Sequence, residues 1–113
     1  MKAKPKGYDH ALADRIRKTV AGKRGIAEKE MFGGLAFLLR GRMFCGITKE
    51  ALMARVGPEH YDQALTKAHV RPMDFTGRPM KGYVFVDAPG VRTQRSLAAW
   101  VTQCLEFVST LDA

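Results

Sequence analysis

Residues 35–56, LAFLLRGRMFCGITKEALMARV, carry the clearest fold signal in this chain of 113 residues. Residues 35–39 and 43–48 are apolar runs that favour strands, and the RGR sequence between them is typical of a tight hairpin. A further turn leads into a third apolar run at residues 51–56. The segment therefore predicts antiparallel strands. Because apolar residues alternate onto both faces, we expect helices or other layers to cover both sides of the sheet.

Helical patterns begin and end the chain. Near the N-terminus, Leu12, Ile16 and Val20 recur every four residues, which predicts a helix that opens at residue 8 or 9. A final helix is expected from about residue 93, because the apolar residues there follow the helical period. We expect its stripe to be buried, with Trp100 as a core anchor. That stripe comprises Leu97, Trp100, Val101, Cys104, Leu105, Val108 and Leu111.

Three shorter segments complete the order of elements. Residues 28–32 favour a first short strand, Pro58 favours the start of a second helix that runs to about residue 66, and residues 83–87 favour a last strand. The predicted fold class is α+β, with three helices and a mainly antiparallel sheet of about five strands in the order α-β-β-β-β-α-β-α. We expect residues 1–7 to form a flexible basic tail and residues 8–113 to form a single domain.

The segment before the last strand is rich in turn formers and predicts a long, ordered loop. Its prolines and glycines argue against a helix, whereas its phenylalanine and methionines argue against a solvated linker. Residues 75–78, FTGR, fit an anion cradle; they also fit an ordinary turn whose phenylalanine enters the core, which is the favoured interpretation. The candidate binding loop comprises Arg71, Asp74, Phe75, Thr76, Gly77, Arg78 and Lys81.

Positive charge is concentrated in two places. The chain has a formal net charge of +8; residues 1–24 carry a net +6 and residues 67–81 a net +3. Such segregation attracts nucleic acid or another acidic surface, and it also occurs on faces that are simply solvated. Both interpretations stay open. The candidate basic surface comprises Arg15, Arg17, Lys18, Lys23 and Arg24.

The sequence shows no arrangement typical of catalysis or metal binding. Cys45 and Cys104 form no CxxC pair and share no ligand spacing with the three histidines, so we expect two buried free thiols; a disulfide is the alternative. Rossmann and P-loop patterns are missing, and Gly33-Gly34 fits a strand-ending turn or close backbone packing better than phosphate binding. We therefore expect a protein that is not an enzyme and has no metal or cofactor.

The distribution of apolar residues predicts the cellular location. No apolar run approaches the ~18 residues of a membrane-spanning helix, and the basic N-terminus lacks the apolar stretch of a secretory signal. We expect a cytoplasmic protein with no membrane contact.

Three segments resemble the N-terminal domain of the TfoX/Sxy family: residues 28–47 (EKEMFGGLAFLLRGRMFCGI), 52–65 (LMARVGPEHYDQAL) and 71–87 (RPMDFTGRPMKGYVFVD). The most specific parts are MFGG, VGPE and MDFTGRPM, and the likeness extends from about Tyr8 to Leu111. The resemblance implies an α+β domain. It also implies a link to regulators of natural competence, which act on transcription of DNA-uptake genes and whose name-giving members carry a second, C-terminal domain. It implies no catalytic residues.

These observations lead to three functional hypotheses. The first is a non-enzymatic regulatory or adaptor domain that acts through contacts with a protein partner, for which the transcription machinery is one source. The second is direct nucleic-acid binding through the basic first helix and the loop at residues 67–82. The third is binding of a small anion at that loop. A monomer and a homodimer both fit the sequence.

Overall fold

The fold is described from a computed structural model, which covers residues 7–31, 33–74, 77 and 79–112. The α-helices are α1 (His10–Thr19), α2 (Tyr61–Leu65) and α3 (Gln94–Ser109). Short 3-10 turns lie at Pro58–His60, Ala88–Val91 and Thr110–Asp112. The strands are β1 (Ile26–Met31), β2 (Gly34–Leu39), β3 (Arg42–Thr48), β4 (Ala51–Arg55), β5 (Val70–Asp74) and β6 (Pro79–Val86).

The strands form one antiparallel sheet in the order β1-β2-β3-β4-β6-β5. The predicted α+β class and the predicted order of elements are confirmed. The sheet has six strands, however, one more than the expected number of about five. The additional strand is β5, which pairs with the outer side of β6. The edges of the sheet are therefore β1 and β5.

Much of the segment predicted as a long loop is a β-hairpin. Asp74 pairs with Pro79 near the hairpin turn, and β6 begins at Pro79 instead of near residue 83. The prediction of a long irregular segment is therefore wrong for Arg71, Asp74 and Lys81, which lie in strands. Phe75, Thr76 and Arg78 lie outside the described residues.

The position of Pro72 explains how a turn-rich sequence forms a strand. The N–H of Asp87 donates to the carbonyl of His69 at 2.8 Å. Hydrogen-bonded and non-hydrogen-bonded pairs alternate along an antiparallel ladder, so this bond makes Pro72 and Val84 a non-hydrogen-bonded pair. The backbone nitrogen of Pro72 therefore points away from β6. β5 is an edge strand, so the missing N–H of proline removes no bond of the sheet.

Polar side chains begin the two longer helices. An Asp9 side-chain oxygen accepts a hydrogen bond from the N–H of Leu12 (3.1 Å), and the Thr93 hydroxyl accepts one from the N–H of Ser96 (3.0 Å). Each cap satisfies an N–H group that has no partner within its helix. The second helix is shorter than predicted, because Pro58 opens a 3-10 turn before the α-helical residues of α2.

One face of the sheet packs against the helices and forms the main core. A row of directly paired apolar residues, Leu35, Ile47, Leu52 and Val86, crosses this face. Six residues of the predicted stripe on α3 are buried in the same cluster, and Trp100 is its anchor as expected. Burial of each large apolar side chain contributes about 1.5–3 kcal/mol, so this contact is the main source of stability.

The other face carries a smaller cluster of Ala51, Met53, Met73 and Phe85. Met53 is 1% exposed. The buried apolar residues of all three helices belong to the main core instead. Among the described residues, helices cover one face only, so the expectation that both faces are covered is confirmed for that face and wrong for the other.

Close approach of the backbones explains Gly34. A Cβ atom at this position would collide with the carbonyl oxygen of Ile47 on β3. Gly33 beside it has a positive φ of 74°, which glycine adopts without strain. The prediction of a strand-ending turn with close backbone packing is confirmed at this pair.

Arg15 joins α1 to the start of α3. Its Nη2 donates to the carbonyls of Val91 (2.7 Å) and Arg92 (3.2 Å), and its Nε donates to the side chain of Gln94 (3.2 Å). The Gln94 side chain returns a hydrogen bond to Thr19 (2.8 Å). This guanidinium therefore holds two helices in register.

Arg17 joins α1 to the edge strand β1. Its Nε and Nη2 each donate to a carboxylate oxygen of Glu28 at 2.7 Å, and its Nη1 donates to Asp14 at 2.7 Å. The hydrogen bond with Glu28 raises the pKa of Arg17 above its usual value and lowers the pKa of Glu28. The bidentate pair thus links the helix to the edge strand.

Both cysteines are free thiols buried in the core, as expected. Burial raises the pKa of Cys104 to about 12 and raises that of Cys45 well above its usual value. The thiolate is the reactive form of cysteine. Neither side chain is therefore prepared for reaction in the folded state.

We expect the native protein to resist thiol-specific reagents. An aromatic disulfide reagent at pH near 8 should modify neither Cys45 nor Cys104 until guanidinium chloride unfolds the chain, because both side chains are 0% exposed. A Glu50→Cys variant, which adds an exposed thiol, should react at once and serves as the control. Fast release of one equivalent from the unmodified native chain would contradict this assignment.

Loss of the Arg17–Glu28 pair should give a pH-dependent change in stability. Because the pKa of Glu28 is lowered on folding, the stabilisation is fully present above the unfolded-chain value of about 4.3 and disappears as pH falls through the folded-state pKa. Glu28→Gln should lower the free energy of unfolding at pH 7 by less than about 1 kcal/mol, since the pair is partly exposed.

The measurement is urea unfolding from pH 7 down to pH 3. Glu50→Gln removes an exposed carboxylate that makes no hydrogen bond or ion pair with a described residue and is the matched control. A difference between wild type and Glu28→Gln that stays constant over this range would show that the charge of Glu28 plays no part.

Candidate functional site

The predicted basic surface divides into two groups. Arg15 and Arg17 use their guanidinium groups for the contacts within the domain described above. Lys18, Lys23 and Arg24 are exposed, and their side chains make no hydrogen bond or ion pair with another described residue. Only this second group is available to a partner.

The fold adds two cations that sequence reasoning treated only as part of a hairpin turn. The N–H of Arg40 donates to the carbonyl of Gly25 at 2.9 Å. This bond places the α1–β1 loop, with Lys23 and Arg24, beside the β2–β3 turn. The pairing of loop and turn is a tertiary contact, so the RGR sequence gave no sign of it. The cations at this end of the sheet, here called the basic end, are Lys23, Arg24, Arg40, Arg42 and, at the start of β6, Lys81.

An open cavity of about 440 Å³ lies between the α1–β1 loop, the β2–β3 turn and α3. Three of its lining residues are cations and one, Glu106, is an acid. Leu39 and Leu105 form part of the wall. The lining comprises Lys23, Arg24, Leu39, Arg40, Thr102, Leu105, Glu106 and Ser109.

The candidate binding loop is divided by the hairpin. Arg71 pairs with Phe85 in the half of the hairpin away from the turn, whereas Asp74 and Lys81 lie near the turn. Gly77 has a positive φ of 82°. The other three candidates, Phe75, Thr76 and Arg78, are outside the described part. The structure therefore does not bring Arg71 and Lys81 together.

Arg71 lies over an aromatic ring and is oriented by a carboxylate. Its guanidinium carbon lies 4.6 Å from the centre of the Phe85 ring, and its Nε donates to both carboxylate oxygens of Asp87, at 3.0 and 3.2 Å. No contact with a described residue engages its two Nη groups. The fork of donors is thus pre-organised and remains available.

Arg71 lines an open cavity of about 490 Å³ at the end of the sheet opposite the basic end. We call this cavity the Arg71 groove. It carries two cations, Lys49 and Arg71, and two acids, Glu50 and Asp87, so its formal charge is balanced. Apolar groups complete its surface. The lining comprises Thr48, Lys49, Glu50, Ala51, Arg71, Phe85, Asp87, Ala88 and Pro89.

Arg55, which the sequence did not single out, has a structural role. Its guanidinium carbon lies 5.3 Å from the ring centre of Tyr83 and 5.7 Å from that of Phe107, and its Nη1 donates to the carbonyl of Met43 at 3.2 Å. These contacts join β4 to β3, β6 and α3. Its strand position at residue 55 gave no signal of this arrangement.

The described residues contain neither a metal-binding cluster nor a helix that could span a membrane. Within residues 7–31, 33–74, 77 and 79–112, no group of three His, Cys, Asp or Glu side chains is arranged to hold a metal ion. The same residues include no helix that is both long and apolar enough to cross a bilayer. Among the cavities of the described residues, the Arg71 groove and the cavity at the basic end are lined by cations that the sequence analysis had singled out: Arg71 in the first, Lys23 and Arg24 in the second.

Comparison with known proteins identifies the family. The family described as the TfoX N-terminal domain matches residues 18–108. No curated protein and no solved structure matches the chain. The family match spans α1 from Lys18 onward, the whole sheet and nearly all of α3, which is most of the sequence. The chain therefore belongs to the TfoX N-terminal domain family.

Proposed function

We propose that this protein is a non-enzymatic regulatory or adaptor domain that acts by binding a protein partner at the Arg71 groove. The family is associated with regulators of natural competence, and regulation through protein contacts is consistent with that association. The observation that carries the proposal is the geometry of Arg71, stacked on Phe85 and oriented by Asp87, with both Nη groups available.

The Arg71 groove has the composition of a protein-binding surface. Arginine and aromatic residues are enriched where protein interfaces derive most of their binding energy, and a rim of both charge signs around apolar groups is usual there. The balanced charge of the groove favours a protein segment that offers both signs over a free small anion. A carboxylate or a backbone carbonyl of that segment is the group that the Nη fork of Arg71 would accept.

The chemistry of the groove supports binding in preference to catalysis. Arginine keeps its proton at physiological pH and does not act as a general base. Asp87 already accepts hydrogen bonds from Arg71, and the lining of the groove includes no cysteine, histidine or serine. A bound group would be held and oriented there.

The charge pattern of β1 disfavours a dimer that pairs two copies of the chain through this edge. In an antiparallel pair, side chains that lie directly opposite each other point to the same face. When two β1 strands pair symmetrically, one residue lies opposite its own copy. In the two registers that pair the most residues, this residue is Glu28 or Lys29. Like charges in opposite positions destabilise a strand pair. Edge-to-edge dimerisation through β1 is thus disfavoured.

Removal of the guanidinium fork should weaken partner binding. We expect Arg71→Ala to weaken binding by about 30-fold, since loss of an interface anchor costs about 2 kcal/mol or more. Arg71→Lys should restore little, because an ammonium keeps the charge but loses the bidentate geometry. The measurement is affinity capture from an extract of the source cells with quantitative mass spectrometry, followed by titration of the purified partner.

Arg95→Ala is the matched control, since Arg95 is exposed on α3 and makes no hydrogen bond or ion pair with a described residue. It should capture the same partner as the wild type. Thermal unfolding of each variant establishes that the fold is retained. Capture of the same proteins in the same amounts by wild type and Arg71→Ala, or no enrichment with any bait, would refute the proposed role of the groove.

A further inference from the structure

The basic end is a second interaction surface, separate from the Arg71 groove. Lys23 and Arg24 lie on the α1–β1 loop, Arg40 and Arg42 flank the β2–β3 turn, and Lys81 lies near the start of β6. The antiparallel order of the strands places all five at one end of the sheet. This end is opposite the groove, so a partner at one site leaves the other accessible.

Three cations of this surface are available to a ligand. All five cations are exposed. Lys23, Arg24 and Lys81 form no hydrogen bond or ion pair with a described residue, in contrast to Arg15, Arg17 and Arg71. The residues that line the cavity of about 440 Å³ at this end include three cations and one acid, Glu106. The local field is therefore positive and attracts a polyanion.

The spacing of the cations matches a nucleic-acid backbone. From β1 to β6 the sheet advances by four strand spacings, which is roughly 19 Å at about 4.8 Å for each spacing. The major groove of duplex DNA is about 12 Å wide. A row of cations of this length reaches phosphates on both sides of a groove, and Lys23, Arg24 and Lys81 alone supply three phosphate contacts.

We infer that the basic end binds the phosphate backbone of duplex nucleic acid without reading its base sequence. The described residues favour a duplex over a single strand. Single-strand binding uses aromatic side chains as stacking platforms. Among the described residues, the exposed large hydrophobic side chain is that of Met80, which is not aromatic. The β2–β3 turn is also too short to insert an element into the major groove for base contacts. With neither base stacking nor base contacts in the groove, the interaction that we infer is contact with the phosphates.

The test is fluorescence anisotropy with two unrelated duplexes of about 20 base pairs, between about 50 and 200 mM salt. Three contacts predict a slope of log affinity against log salt of about −3 or steeper, and a loss of affinity of about 40-fold over this range. The two duplexes should bind equally. Lys23→Glu/Arg24→Glu should weaken binding at least tenfold at the lower salt concentration and reduce the slope by about 2.

Lys67→Glu/Arg95→Glu is the matched control, because it changes the net charge equally at positions away from the basic end. It should leave the slope unchanged. Lys23→Gln/Arg24→Gln repeats the test without new negative charge, and thermal unfolding confirms that each variant is folded. The inference is overturned by equal losses in the control, by absent binding at low salt, or by a tenfold preference between the duplexes.

Two competing ligands complete the experiment. A single-stranded oligonucleotide of the same length that binds more tightly than the duplex would assign the surface to single strands and overturn the inference. Polyglutamate that binds as tightly as the duplex, with the same dependence on Lys23 and Arg24, would assign it to acidic proteins and overturn it equally. Failure of the Arg71→Ala experiment leaves this result unaffected, because the two surfaces share no residue.

Discussion

The structure depends on the packing of α3 against the central strands β2, β3 and β4. The apolar stripe of the helix enters the row of side chains that crosses this face, and it buries Trp100 and Cys104 among them. Close approach is possible at the end of β4 because residue 57 is glycine; a Cβ atom there would lie 2.5 Å from the ring of Phe107. The N–H groups of Val56 and Gly57 both donate to the carbonyl of Gly82, at 2.9 and 3.0 Å. The packing of α3 and the backbone pairing of β4 with β6 therefore stabilise each other. This pairing also positions the β5–β6 hairpin that carries Arg71.

The arginines show how the fold separates stabilising charges from available ones. Arg15 and Arg17 fasten α1 to α3 and to β1 with several hydrogen bonds each, and Arg55 lies between two aromatic rings. Arg71 is intermediate, since its Nε is bound by Asp87 while its Nη groups are available. Lys23, Arg24 and Lys81 at the basic end make no hydrogen bond or ion pair with a described residue. The cations behind the net charge of +8 thus contribute to two different surfaces: a groove whose formal charge is balanced, and an end of the sheet where cations predominate.

The segment at residues 71–82 shows where sequence reasoning was limited. Its prolines and glycines are typical of turns, yet Pro72 lies in a strand because the edge of the sheet requires no N–H from it. Whether a strand is central or at an edge is decided by pairing between distant residues, and local composition carries no trace of it. The same limit applied to the basic surface. Lys23 and Arg24 were recognised from their charge, whereas Arg40 joined them only through the bond between its N–H and Gly25.

The amino-acid sequence by itself determined the helices, the antiparallel strands β2, β3 and β4, and the buried thiols. These depend on periodicity, turn residues and side-chain hydrophobicity, which are local properties of the chain. The family was also recognisable from local motifs such as MFGG and MDFTGRPM. Tertiary structure alone decided that Arg17 binds Glu28 and that Arg71 lies over the ring of Phe85. It also decided that the α1–β1 loop and the β2–β3 turn lie side by side, which brings their cations together. Ionic and aromatic contacts act over a few ångströms between residues far apart in sequence, so their partners become defined only when the sheet has formed.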